Sequence, residues 1–353
     1  MEDSKGTIRK NNRLISNLLK GKPQQYLVVG IIFLLIPIIN LWTGMISFSN
    51  MTLLNNVVIF AIAALGFNIL LGYAGQVSLG HAAFMGMGAY LSAYLTMQLE
   101  LPFLLSLLLS GLVPMVIGLL LGLVALRLAS LYLAIATLGL GVTFQNIFIE
   151  WTALTGGHAG LRRIPYPEIL GFEIRQREHF LILSIVILVG LAIFSYNFLH
   201  SKTGRALIAM RDSEHAAQAM GISLFKYKLY AFALSAFYVG IAGSLYAHLY
   251  RYVEPSAWGV ELSLNLLAMV VIGGLASIGG SIVGAAFIQL LPRVMQDLPL
   301  VGGITNINFI LTGVALIVVI IFFPTGLIRR FDFLWNKLKA KVGKLNSKEG
   351  GTP

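Results

Sequence analysis

The chain contains no cysteine, which excludes disulfide bonds, thiolate-ligated zinc and thiol nucleophiles together. Charge is almost as scarce. Only 11% of the 353 residues are charged, where a soluble domain carries about 25% to keep its surface in water. No G-x-x-x-x-G-K-S/T segment is present, so nothing here can cradle the phosphates of ATP in the usual loop. H-E-x-x-H and G-x-S-x-G are missing too. No carboxylate falls inside an apolar run to act as acid, base or proton relay. These absences argue against an enzyme and against a proton-driven carrier.

What is present is apolar surface: 57% of residues are hydrophobic, and mean hydropathy is +0.84. A chain of this length cannot bury that much in one soluble core. A membrane span needs roughly 20 apolar residues. The runs that qualify are Tyr26–Met45, Leu53–Gly72, Val77–Met97, Phe103–Leu126, Ser130–Ile149, His179–Leu199, Leu229–Tyr250, Leu262–Leu291 and Ile304–Pro324. From Pro23 to Glu150 the only Asp, Glu, Lys or Arg residues are Glu100, Arg127 and Glu150, all at run ends. The expected fold is therefore all-α, a polytopic transmembrane helical bundle occupying residues 23–328.

The net charge of +11 lies in flanks of the apolar runs rather than on a nucleic-acid-binding face. Basic residues crowd the 1–22 tail, the Ser201–Lys228 loop and the 329–353 tail. Lysine and arginine mark cytoplasmic segments, so all three are expected inside, including both termini. No small-residue cleavage site follows the first run, which is read as an uncleaved helix. Termini on one side demand an even number of crossings, yet the runs number nine. Leu262–Leu291 is long enough to split, and its Gly273, Gly274, Gly279, Gly280 and Gly284 permit a break. About ten spans result, with a broken pair meeting near Ala276–Gly280.

Two stretches could carry function. Gly66–Tyr90 interleaves glycines with Asn68, Gln76, Ser78 and His81. Small residues let membrane helices approach closely, which accounts for the glycines. Polar side chains in lipid need partners or water, and a break at Gly72–Gly75 would aim helix N–H groups at a cavity. Asn68, Gln76, Ser78 and His81, with Gln145, Asn146, Asn265 and Gln289, are the candidates for a solute pathway. Each could equally satisfy a neighbouring helix. The second stretch, Gly204–Gly221, offers Asp212 or Ser213 as an N-cap and Gly221 as a terminator. A helix that short is unstable alone, so it needs something to dock against. Trp151–Glu178 is the longest loop on the opposite face.

Four blocks, in order, carry a resemblance: GYAGQVSLGHAAFMGMGAY, LTGGHAGLRRIP at Leu154–Pro165, GRALIAMRDSEHAAQAMGI, and VIGGLASIGGSIVGA at Val271–Ala285. Together with PTGL at Pro324–Leu327 they resemble the branched-chain amino acid permeases of ATP-binding-cassette importers, in the LivM-type branch. The likeness runs from about Leu53 to Leu327. It implies a bacterial cytoplasmic-membrane subunit with no cofactor or metal. It also implies a second, LivH-like permease, two cytoplasmic ATPase subunits and an extracytoplasmic binding protein. Arg211, Asp212, Glu214, Ala216, Ala217 and Gly221 match the family's ATPase-coupling segment loosely, with His215 interrupting the usual Glu-Ala-Ala order. Relatives in the same superfamily carry urea, amides or other amino acids. The rival class is an ion-coupled secondary carrier, which would work as this chain alone.

Overall fold

A computed structural model describes residues 22–125, 130–169 and 171–296, with the isolated positions 313, 314, 317 and 327. The expected Ile304–Pro324 span and both basic tails lie outside these segments. The described chain is built almost wholly of helices. They are α1 (Lys22–Thr43), α2 (Phe48–Asn68), α3 (His81–Gln98), α4 (Phe103–Ala125), α5 (Ser130–Glu150) and α6 (Arg177–His200), then α7 (Lys202–Asp212), α8 (Glu214–Ala219), α9 (Leu224–Tyr250), α10 (Val260–Gly273) and α11 (Ile278–Gln296). Six of these are long and apolar enough to cross a membrane: α1, α2, α4, α5, α6 and α9. The polytopic helical architecture thus stands.

α9 is the central post. It packs against α2, α3 and α4, and glycine makes that crowding possible. A Cβ added at Gly243 would strike the backbone of Met85 and Ala89 on α3. One at Gly88 would strike Gly240, and one at Gly240 would meet Gly111 and Pro114 of α4. Small residues are how membrane helices gain close van der Waals contact where lipid removes the hydrophobic drive. By contrast α1 is peripheral. It runs beside α6, with Tyr26 near Tyr196 at one end and Asn40 donating to Glu178 at 3.0 Å at the other. Most of its side chains face outward, among them Ile31, Ile32 and Leu35.

One end of the bundle is closed by short β pairings. Leu161–Arg162 pairs with Tyr252–Val253, and Glu168–Ile169 with Phe172–Glu173. Arg251 Nε donates to the Ile164 carbonyl at 2.7 Å while its guanidinium lies over the Tyr166 ring. Arg177, at the start of α6, donates to the Leu249 carbonyl. These ties fasten the Trp151–Glu178 loop onto the end of α9.

Two boundaries differ from the apolar runs. The Leu262–Leu291 run does break, but at Gly274–Ser277, with Gly274 at φ 121° and Ala276 at φ 56°. Gly273, Gly280 and Gly284 then let α10 and α11 press backbone to backbone. The Val77–Met97 run begins its helix only at His81. Ahead of it, α2 passes into a π-helical turn, Ile69–Tyr73, and the chain then unwinds through Ala74–Gly80 with Gly75 at φ 70°.

Candidate functional site

The two interruptions meet. Asn68, fully buried, sends its amide nitrogen to the Ser277 carbonyl and the Ser281 hydroxyl, each at 2.8 Å. Its oxygen accepts from Ala276 N at 3.0 Å. The unwound segment Ala74–Gly80 is held on α5, where Leu79 N donates to Thr137 Oγ1 at 3.0 Å, and the first turn of α3 is held on α10, where Ala82 N donates to Ser263 Oγ at 3.0 Å. Irregular backbone survives at membrane depth only where protein or water satisfies it. Here the side chains of Asn68 on α2 and Thr137 on α5 do so.

The polar candidates divide by environment. His81 is fully buried, and both ring nitrogens are occupied, Nδ1 by Ser78 Oγ at 2.9 Å and Nε2 by Ser235 Oγ at 2.8 Å. Its ring lies among Phe67, Phe84 and Phe232. Ser78 is thereby spoken for as well. Gln76 is different. It is 2% exposed, and neither its amide nitrogen nor its oxygen has a hydrogen-bond partner. An unpaired buried amide costs about 1–3 kcal/mol. Gln145 makes a long contact to the Pro255 carbonyl at 3.5 Å. Asn146 is exposed on α5; Asn265 on α10 and Gln289 on α11 are half-buried. So Ser78 and His81 form a bonded pair, Asn68 bonds across to the second interruption, Gln76 stands unpaired on the unwound segment, and Gln145, Asn146, Asn265 and Gln289 sit on other helices. Ser235 and Ser281, the partners of His81 and Asn68, and Thr137 and Ser263, which accept from the Leu79 and Ala82 amides, carry no motif and are invisible to spacing arguments. The same holds for the buried line Ser244, Ser92, His248, which ends on the Pro165 carbonyl.

The second site is α7–α8. Ser213 caps α8, its hydroxyl accepting from Ala216 N at 3.2 Å, and Gly221 ends the segment at φ 80°. Ala217 is buried against the bundle, while Asp212, His215, Ala216, Gln218, Met220 and Gly221 are exposed. Glu214 turns back to Lys228 on α9, 2.6 Å away, so its carboxylate serves the bundle rather than the open face. Arg211 reaches inward too, donating from Nη1 to the Gly72 carbonyl at 3.0 Å.

A family model described as the branched-chain amino acid transport system permease component matches residues 49–321. The chain belongs to this permease family. The LivM permease protein of the high-affinity branched-chain amino acid transport system of Salmonella typhimurium is 32% identical over 331 residues, 87% of this chain and 76% of the relative. Its Escherichia coli counterpart is 30% identical over 310 residues, 81% of this chain and 72% of the relative. More distantly, the autoinducer 2 import permease LsrC of Escherichia coli is 23% identical over 197 residues, 53% of this chain and 54% of the relative. No solved structure matches. The permease is a multi-pass protein of the cytoplasmic membrane, a transport subunit of an ATP-binding-cassette importer and not itself an enzyme.

Proposed function

We propose that this permease translocates branched-chain amino acids, and that the solute passes the level where Ala74–Gly80 and Gly274–Ser277 meet. The observation that carries the reading is Gln76, a buried amide with both ends unpaired, on unwound backbone beside a second interruption. Discontinuous helices of this kind are where transporters hold solute. An amide offers a donor and an acceptor to a zwitterion without a fixed charge that would trap it. The surrounding apolar side chains suit an aliphatic solute.

Depth supports a re-entrant reading of α10–α11. Asn55, which donates to the Arg177 carbonyl, marks the outer boundary. At about 1.5 Å per residue, Asn68 lies roughly 20 Å below it, two-thirds of the way across a hydrocarbon core about 30 Å thick. α10 leaves the outer loop, turns at that depth, and α11 returns toward Phe48 and Tyr250, which share a cleft with Arg293. A pair that enters and leaves on the outer face keeps the parity that about ten spans requires, with both termini in the cytoplasm. The 23–328 segment is then the permease domain between the basic tails 1–22 and 329–353.

The exposed side of α7–α8, within the 201–228 loop, docks on a cytoplasmic ATPase. A LivH-like second permease, two ATPase subunits and an extracytoplasmic binding protein complete the importer. The test is uptake into liposomes holding the chain with and without those partners. Branched-chain amino acid uptake should require ATP and the whole complex. Uptake by this chain alone, driven by an ion gradient, would refute the importer reading.

A further inference from the structure

We infer that Arg211 and Asn68 form a two-step strut joining the cytoplasmic α7–α8 segment to the α10–α11 interruption. The first step is the Arg211 guanidinium, which donates to the Gly72 carbonyl at 3.0 Å. It is steadied by Asp212, whose Oδ1 accepts from Nε at 3.0 Å and Nη2 at 2.7 Å. Gly75 admits the side chain: an added Cβ there would lie 3.0 Å from Arg211 Cγ. The second step is Asn68, with both amide hydrogens on Ser277 and Ser281 and its oxygen on Ala276. Gly72 is the joint between them. A Cβ at Gly72 would overlap both Asn68 Oδ1 and Ala276 N, so the two steps touch.

The joint lies in the π-helical turn Ile69–Tyr73. A π turn is a local slip in the helix ladder, and such turns favour functional positions. A shift of α7 relative to α2 must either break the Arg211–Gly72 bond or carry Gly72 with it. Carrying Gly72 moves Asn68, because the two stand one turn apart. Moving Asn68 moves the left-handed Ala276 and the Ser277 carbonyl. A cytoplasmic displacement thus reaches the interruption without passing through the lipid-facing helices. The strut deepens the importer reading, which supplies the source of the push, but the link itself does not depend on that reading.

The test places Leu275→Cys, at a position 46% exposed, in a chain with no other cysteine. Maleimide labelling rates of the full chain are compared in the native, Arg211→Ala, Asn68→Ala and doubly substituted backgrounds. Cutting a strut once cuts it, so each single change should speed labelling about threefold and the double no further, whereas independent sites would multiply to about ninefold. A multiplicative double, or no response to Arg211→Ala, overturns the strut. If Asn68→Ala does not fold, Asn68→Asp replaces it, since the carboxylate keeps the Ala276 bond and loses the two donors. Within the complete importer, ATP should alter the labelling rate in the native background and not with Asn68→Asp. If the ATPase assembles and uptake needs ATP, yet the native background shows no response, the strut falls while the importer reading stands. If no ATPase associates, the importer reading falls and the four-background comparison alone decides the strut.

Discussion

His81 and Gln76 sit five residues apart with opposite needs, and that contrast sets the residue-scale expectations. His81 has both nitrogens satisfied and an aromatic cage, so it fixes the start of α3 against α9. Ser235→Ala should therefore lower the melting temperature of the purified protein by the equivalent of about 1 kcal/mol and leave uptake near native. Gln76 satisfies nothing inside the chain. Gln76→Leu removes an unpaired buried amide, so thermal stability should hold or rise, while uptake should fall about tenfold, the effect of roughly 1.4 kcal/mol in the pathway. Loss of stability without loss of uptake would reverse the two assignments. The sequence flagged both residues as polar groups in an apolar run but could not separate them. The distinction lies in Ser235, more than a hundred positions away, and hydropathy says nothing about which serine an imidazole meets.

At the scale of elements, composition went far. The runs anticipated α1, α2, α4, α5, α6 and α9 because an apolar stretch of membrane length has one local solution, the helix that satisfies its own backbone. The glycines of Gly273–Gly284 disclosed the interruption between α10 and α11, since they both permit the turn and let the two arms close. Val77–Gly80 escaped notice. Its residues are apolar enough to extend a run, and it unwinds because Thr137 of α5 supplies a partner for Leu79 N, a tertiary fact. The π turn escaped for the same reason. The glycine seam of α9 yields a direct expectation: Gly243→Leu should abolish monodisperse protein in size-exclusion profiles, because the added side chain meets the α3 backbone rather than a movable side chain. Gly190→Ala, where an added Cβ meets nothing, should elute as native.

For the whole molecule, the proposed orientation puts the 201–228 loop and the β pairings of the Trp151–Glu178 loop on opposite faces. Met220, exposed at the end of α8, and His158, exposed in the Trp151–Glu178 loop, should report them. In intact cells an impermeant maleimide should label His158→Cys and should reach Met220→Cys only after the membrane is opened. Labelling of Met220→Cys in sealed cells would invert the orientation and with it the ATPase-facing role of α7–α8. The family could be read from ordered blocks of sequence, whereas the solute could not, because selectivity resides in which side chains face the path and not in how many are apolar.

The peripheral seat of α1 bears on how the protein is made. Its anchoring contacts, Tyr26 with Tyr196 and Asn40 with Glu178, are to α6, which is synthesised roughly 130 residues later, on the order of ten seconds at bacterial elongation rates. During that interval α1 lacks its main partner among the described helices, so it must persist in lipid on its own hydrophobicity. Biogenesis of this permease then has a waiting step, and the arrival of α6 is the event that ends it.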